Sequence, residues 1–337
     1  MLPIKAQSII TPPRLIGSLL AGFDSITRHL YLILFPVALD FILWFGPHLR
    51  IRQLMQSIYD QMVSLSAMSD PASVDVIQAN GEIWKYIGEH LNLVAAMRTY
   101  PVGIPTLMTA YLPLKTPGAT NPLIVDVSSV FSILGIWVLG SLVGYIVGSL
   151  YFSAVSNASI TDKIELRAII KAWPWNSLQV ILLSLGLAIL LMAIAIPASC
   201  MVSVLSVINP TMGRILLFIF LGFLVWVIFP FLFSAHGIFV NRMNAWASVR
   251  RGVFLTRLTV PTTGLLFLSI LFISQLLNYV WTMPQEDSWM MLIGIAGHAF
   301  VSTGLLATSF VYYKQADQWA QSIQKQVSTL PPSQTGA

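Results

Sequence analysis

The sequence predicts an all-α integral membrane protein with six transmembrane helices, cytoplasmic interfacial amphipathic helices and an extracytoplasmic helical loop. Three observations predict it. Over 337 residues the hydrophobic fraction is 56% and the charged fraction only 9%, with a mean hydropathy of +0.78. A soluble domain carries roughly a quarter of its residues as charges, so a chain this poor in charge needs lipid as part of its solvent. Second, five stretches free of formal charge are each long enough to cross the hydrocarbon, which takes about 20 apolar residues as helix. Third, these runs are continuous and do not alternate apolar with polar in strands of about ten residues, which excludes a membrane β-barrel.

In chain order, residues 1–28 form a cytoplasmic segment with an amphipathic helix, in which Leu15, Ile16, Leu19, Leu20, Phe23 and Ile26 recur at helical spacing. They lack the compact apolar core and small-residue cleavage site of a signal peptide. Span one is 29–47 and holds one acid, Asp40. Residues 48–127 are an extracytoplasmic loop, helical and then Pro-rich. Ile51, Leu54, Met55, Ile58, Met62 and Leu65 fall on one helical face. Ile83, Ile87, Leu91 and Val94 mark a second helix, and the apolar, Pro-rich stretch after it is expected to pack on the outer membrane face or over the bundle as a cap. Residues 128–313 hold the remaining five spans. The first of these is flanked by Asp126 and Asp162. The run between Lys171 and Arg214 is too long for one helix, and Asn209-Pro210 predicts a helix end near Ile208 followed by a turn. Spans at 215–241, 258–285 and 288–313 follow, then a cytoplasmic tail, 314–337, with a short helical extension.

Lys and Arg set the orientation. Lys5, Arg14 and Arg28, then Lys163, Arg167 and Lys171, then Arg242, Arg250, Arg251 and Arg257, then Lys314 and Lys325 all fall where both termini are cytoplasmic. Trp44, Trp281, Trp289, Tyr312 and Tyr313 lie at span ends, as interfacial anchors do. The same inner side carries amphipathic segments before spans three and five. Arg242, Arg250, Arg251 and Arg257 are therefore expected to meet anionic lipid headgroups. The formal net charge of +5 has this explanation, and no basic, aromatic-interleaved face points to nucleic acid. A faint self-match pairs Phe152-Ser153-Ala154 with Phe233-Ser234-Ala235. The pattern fits a bacterial plasma membrane.

The segment FLFSAHGIFVNRMNAWASVRRGVFLTRLTVPTTGLLFLSILF at 231–272 resembles uncharacterised bacterial multi-pass proteins related to the membrane domain that accompanies some glycerophosphodiester phosphodiesterases. The resemblance covers roughly the last two thirds of the chain and implies a fold and a location. It implies no activity, because no soluble phosphodiesterase domain and no acid/His cluster for a catalytic metal is present.

Chemistry-bearing residues are few. A carboxylate at a helix centre costs about 2.5–3.5 kcal/mol on insertion scales, so Asp40 is either a proton relay or substrate contact, or a buried polar link that fixes packing to the outer loop. His298, in span six, either shuttles protons or bonds across a helix interface. His236 is expected at the inner interface. Gly140, Gly144 and Gly148 share one face of span two, where another backbone, from a second copy or from a helix of the same chain, can approach closely. Pro36, Pro197 and Pro230 can kink their helices. The single cysteine, Cys200, sits in an apolar run and forms no pair. No P-loop, dinucleotide fingerprint, HExxH or nucleophile elbow occurs, so neither a metal nor a cofactor is expected. The leading expectation is a non-enzymatic membrane protein that binds or moves a lipid or small molecule, or serves a protein partner or a second copy of itself. An intramembrane lipid-modifying enzyme and a proton-coupled transporter using Asp40 are the alternatives.

Overall fold

The computed structural model describes residues 12–69, 81–111, 113–118 and 122–329. Lys5 and the end of the tail lie outside them. Numbered over the described residues, α1 is Leu15–Arg28 and α2 is Leu34–Phe45, joined by a 3-10 turn at Leu30–Ile33. Then come β1 (His48–Arg50), α3 (Arg52–Ser69), α4 (Gly81–His90), a 3-10 turn at Leu93–Met97, α5 (Met108–Tyr111) and β2 (Ile124–Asp126). The long helices are α6 (Val130–Thr161), α7 (Leu166–Ile208), α8 (Pro210–Ile228), α11 (Val260–Trp281) and α12 (Met291–Thr329), with the short α9 (His236–Asn241) and α10 (Ala245–Leu258) between α8 and α11.

The chain is a predominantly helical multi-pass membrane protein. Among the described residues five helices are long and apolar enough to cross a membrane, and a sixth crossing exists if α1 and the Leu30–Phe45 segment count as one span bent by 92°. This refines span one. Its four-residue 3-10 turn and twelve-residue helix reach about 26 Å, somewhat short of the ~30 Å hydrocarbon.

Local chemistry explains the boundaries. Asn209 ends α7 and caps α8, its side chain accepting from the amides of Thr211 and Met212, with Pro210 at the first helical position. Asn244 caps α10 by accepting from Ala247 N–H. Pro230 breaks the fourth span into a 3-10 turn at Phe229–Phe231, whereas Pro197 is absorbed within α7. The amphipathic segment before span three is not a separate helix but the first turns of α7. One departure from the all-α expectation is a parallel pair, β1 with β2, in register His48 to Ile124 and Arg50 to Asp126. Two strands of three residues are too short to leave a period-two signal.

The chain forms two compact units. One is built from the described parts of Met1–His29, Ser153–Leu271 and Gly304–Ala337. Its core is Phe233, Leu255, Leu266, Tyr312, Tyr313, Ala316 and Ala320. The other comprises Leu30–Phe152 and Phe272–Thr303, with Leu39, Leu43, Trp44, Val102, Leu107 and Met108 buried. The aromatic assignments change accordingly. Trp44, Tyr312 and Tyr313 are fully buried and belong to cores rather than to an interfacial belt, whereas Trp289 is exposed. Both Phe-Ser-Ala triplets are buried.

Among the spans α12 is the most buried. In its most apolar window 56% of residues are buried, against 0–17% for the other four. Its composition explains this. Gly294, Gly297, Ala299, Thr303, Gly304, Ala307 and Thr308 supply the small and hydroxyl side chains that membrane helix interfaces prefer.

Candidate functional site: buried polar groups and an inverted amphipathic face

Asp40, on α2, is fully buried. Its Oδ1 accepts the Thr106 hydroxyl and the Met108 backbone N–H at 3.0 Å, while Oδ2 has no partner. Both donors lie in the segment between α4 and β2, so Asp40 ties α2 to that segment. The Arg98 guanidinium donates to Thr109 Oγ1 at 2.6 Å and lies within electrostatic reach of both Asp40 and His298. His298, on α12, is buried with Nδ1 unpartnered, and the nearby Trp281 Nε1 is unpartnered too. Asp40 and His298 share no hydrogen bond among those found in the described residues. Nor does any group of three His, Cys, Asp or Glu side chains converge there.

The glycine face of α6 meets residues 96–103, largely through their backbone. A Cβ at Gly140 would stand 3.2 Å from Ala96 Cβ. One at Gly144 would collide with the Met97 carbonyl and come within 2.8 Å of Thr99 Cγ2, and one at Gly148 would reach Gly103 Cα at 3.1 Å. The start of the apolar, Pro-rich stretch, at Thr99 and Gly103, thus packs against α6.

Sequence reasoning missed His48 and Arg50. Both are buried at β1. Arg50 Nη2 donates to His48 Nδ1 at 3.0 Å and His48 Nε2 donates to the Leu43 carbonyl at 3.1 Å, which fixes a neutral imidazole. Burial first, and the Arg50 charge second, hold the His48 pKa below its ordinary 6.5. The unfolded chain therefore takes up a proton that the folded one resists. The stability this histidine contributes at neutral pH is lost as pH falls below about 6.5. The unfolding temperature is expected to drop between about pH 7 and pH 5.5, and to drop less for His48→Gln. Equal losses in the two proteins would remove His48 as the cause.

In the other unit, Arg251 departs from expectation. Rather than facing headgroups, its Nε donates to Asp317 Oδ1 at 2.6 Å, with side chains only 18% and 7% exposed. Asn241 and Gln321 donate to Oδ2 of the same carboxylate, which links α9 and α10 to α12. Arg242 closes α9 in a left-handed conformation, φ 50°, and is exposed, as are Arg250 and Arg257. His236 is not interfacial. It is buried, bonded to Ser309 Oγ at 2.9 Å and ringed by Phe233, Phe310 and Tyr313.

The amphipathic segments of this unit are inverted relative to those of a soluble protein. In α1, Ser18, Gly22, Ser25 and Ile26 face inward, while Ile16 and Leu20 are 72% and 67% exposed. In α10, Ser248, Gly252, Leu255 and Thr256 face inward, while Trp246 and Phe254 are exposed. Gly22 and Gly252 are needed for the approach. A Cβ there would stand 2.5 Å from the Thr308 amide and 2.8 Å from the Phe233 carbonyl carbon, respectively. At the start of α7, Leu166, Ile170 and Trp175 are exposed beside Arg167 and Lys171.

In comparisons with known proteins, no protein family, no curated protein and no solved structure matches the chain.

Proposed function

We propose that this chain is a non-catalytic multi-pass subunit of a bacterial plasma membrane, both termini cytoplasmic, that holds anionic lipid headgroups through its amphipathic segments. The inverted face carries this reading. Large apolar side chains turned outward between Arg14, Arg167, Lys171, Arg250 and Arg257 are stable only if the apolar groups enter the acyl boundary and the cations remain at phosphate level. Small and hydroxyl residues, together with Ile26 and Leu255, fill the inward side, so the outward apolar residues lie on the face opposite the core. With each cation near the surface contributing about 1 kcal/mol, the variant Arg167→Gln/Lys171→Gln/Arg250→Gln/Arg257→Gln is expected to retain anionic lipid at least ~100-fold less well than wild type. Native mass spectrometry after extraction from mixed phosphatidylglycerol and phosphatidylethanolamine vesicles measures this. Undiminished phosphatidylglycerol adducts would refute it.

A second reading, a proton-coupled transporter or an intramembrane lipid-modifying enzyme, is favoured by the unpartnered Asp40 Oδ2 and His298 Nδ1. Loss of pH-dependent transport in vesicles of a folded Asp40→Asn protein would support the transporter. Retained transport, or none in wild type, would dismiss it.

A further inference from the structure

The path of residues 93–111 has an unusual relation to α6 and α12, all within one unit. The segment begins at Asn92, whose Oδ1 accepts the Leu49 amide of β1 at 3.0 Å. Its backbone then runs beside α6 from Gly140, at Ala96, to Gly148, at Gly103, a descent of about 12 Å along the helix axis. There it turns and comes back. Thr106 and Met108 reach Asp40, Tyr111 donates to the Pro284 carbonyl at 3.0 Å, and the Leu114 amide donates to Glu286 Oε2 at 2.7 Å. Pro284 and Glu286 belong to the short connection that precedes α12. Both ends of the segment therefore lie beside loops, and its turn lies beside helix.

The level of that turn follows from a hydrogen bond between helices that both begin in this unit. Tyr151 Oη donates to Thr303 Oγ1 at 2.9 Å. Thr303 stands about 18 Å along α12 from Met291, and Gly148 is about 4.5 Å nearer the loop end than Tyr151. The turn at Gly103 is thus about 14 Å below the start of α12, near the middle of a hydrocarbon layer about 30 Å thick.

Non-helical backbone at that depth requires every polar group to be met by protein, and the side chains that do so are identifiable. Tyr145 Oη donates to the Tyr100 carbonyl at 3.0 Å, Thr99 Oγ1 to the Val102 carbonyl at 2.6 Å, and Asp40 Oδ1 receives the Met108 amide. The side chains suit the location as well. Val102, Ile104, Leu107 and Met108 are buried, and Tyr100 is 78% exposed. From these observations we infer that residues 93–111 form a re-entrant segment, which dips into the bilayer along the glycine face of α6, leaves on the side it entered, and is held on its return limb by Asp40.

Site-specific labelling tests this. In a Cys200→Ser background, single cysteines replace Glu82, Tyr100 or Lys115 in sealed proteoliposomes of stated orientation. Tyr100 is chosen because its exposed side chain can be changed without opening the packing. A membrane-impermeant maleimide is expected to label the cysteines at 82 and 115 from the same side. The one at 100 should react at least ~10-fold more slowly, and a fluorophore placed there by a permeant reagent should be quenched by nitroxide on lipid acyl chains. Equal labelling at 100 and 115 would make the segment a surface loop. Labelling of 82 and 115 from opposite sides would make it a crossing. Either result overturns the inference. Adding Asp40→Ala should bring labelling at 100 up towards that at 115, while Asp40→Asn, which keeps an acceptor oxygen, should not. Protection at 100 that survives Asp40→Ala would remove Asp40 as the anchor.

Discussion

Gly144→Leu is expected to lower stability by about 3 kcal/mol or more, the upper end of overpacking costs. A Cβ alone would already collide with the Met97 carbonyl and crowd Thr99 Cγ2 at 2.8 Å. The obstacle is backbone, which cannot move aside as a side-chain tip can. The control is on the same helix, since nothing stands within 4 Å of a Cβ at Gly135. Gly135→Leu should be neutral or slightly stabilising, because glycine costs a helix about 1 kcal/mol relative to better formers. Thermal unfolding in mild detergent compares the two. Equal effects would mean that the Gly144 face is not closed by residues 97–99.

Asp317→Ala is expected to cost about 3 kcal/mol. Breaking a buried ion pair by removing one partner costs roughly 3–5 kcal/mol, and the residual exposure of Arg251 places this pair at the lower end. The loss has three parts, since Asp317 also receives Asn241 and Gln321. Removing both charges at once, as Arg251→Met/Asp317→Leu, should recover most of the stability, because the remaining cost is no longer that of an orphaned guanidinium. Unfolding temperatures of the two variants decide this. A double variant as unstable as the single one would show that the carboxylate acts mainly through Asn241 and Gln321.

Neither effect was legible in one dimension. Arg251 lies between Arg250 and Gly252 on a basic amphipathic stretch, and nothing in that stretch distinguishes it from Arg250 or Arg257. Its partner is 66 residues away. A clue was available at the other end. Asp317 is a lone acid on a helix that leaves the last span, and charge scarcity makes each such acid a candidate for pairing. Asp40 was visible for the same reason, since an acid in an apolar run costs too much to be accidental, but its donors are an ordinary threonine and a backbone amide. The glycine spacing on α6 announced a close approach without saying that a loop would make it. The burial of α12 was latent in its small and hydroxyl residues, which lower its hydropathy to 1.6 where other spans reach 2.9.

The sequence by itself determined that this is a helical multi-pass membrane protein, roughly where its helices begin and end, and that few residues are available for chemistry. Those properties follow from additive quantities, namely transfer free energy summed over about 20 residues, capping by the nearest Asn, and the missing N–H of proline. Only the tertiary structure decided which span is most buried, which arginine of the basic stretch is paired and which are exposed, that His48 and Arg50 form a buried pair, and that an apolar loop lies along the glycines of α6. Each depends on which distant backbone or side chain comes within about 3 Å, and hydrogen bonds and close packing act at that range alone. Composition measures how much surface avoids water, not which surfaces meet.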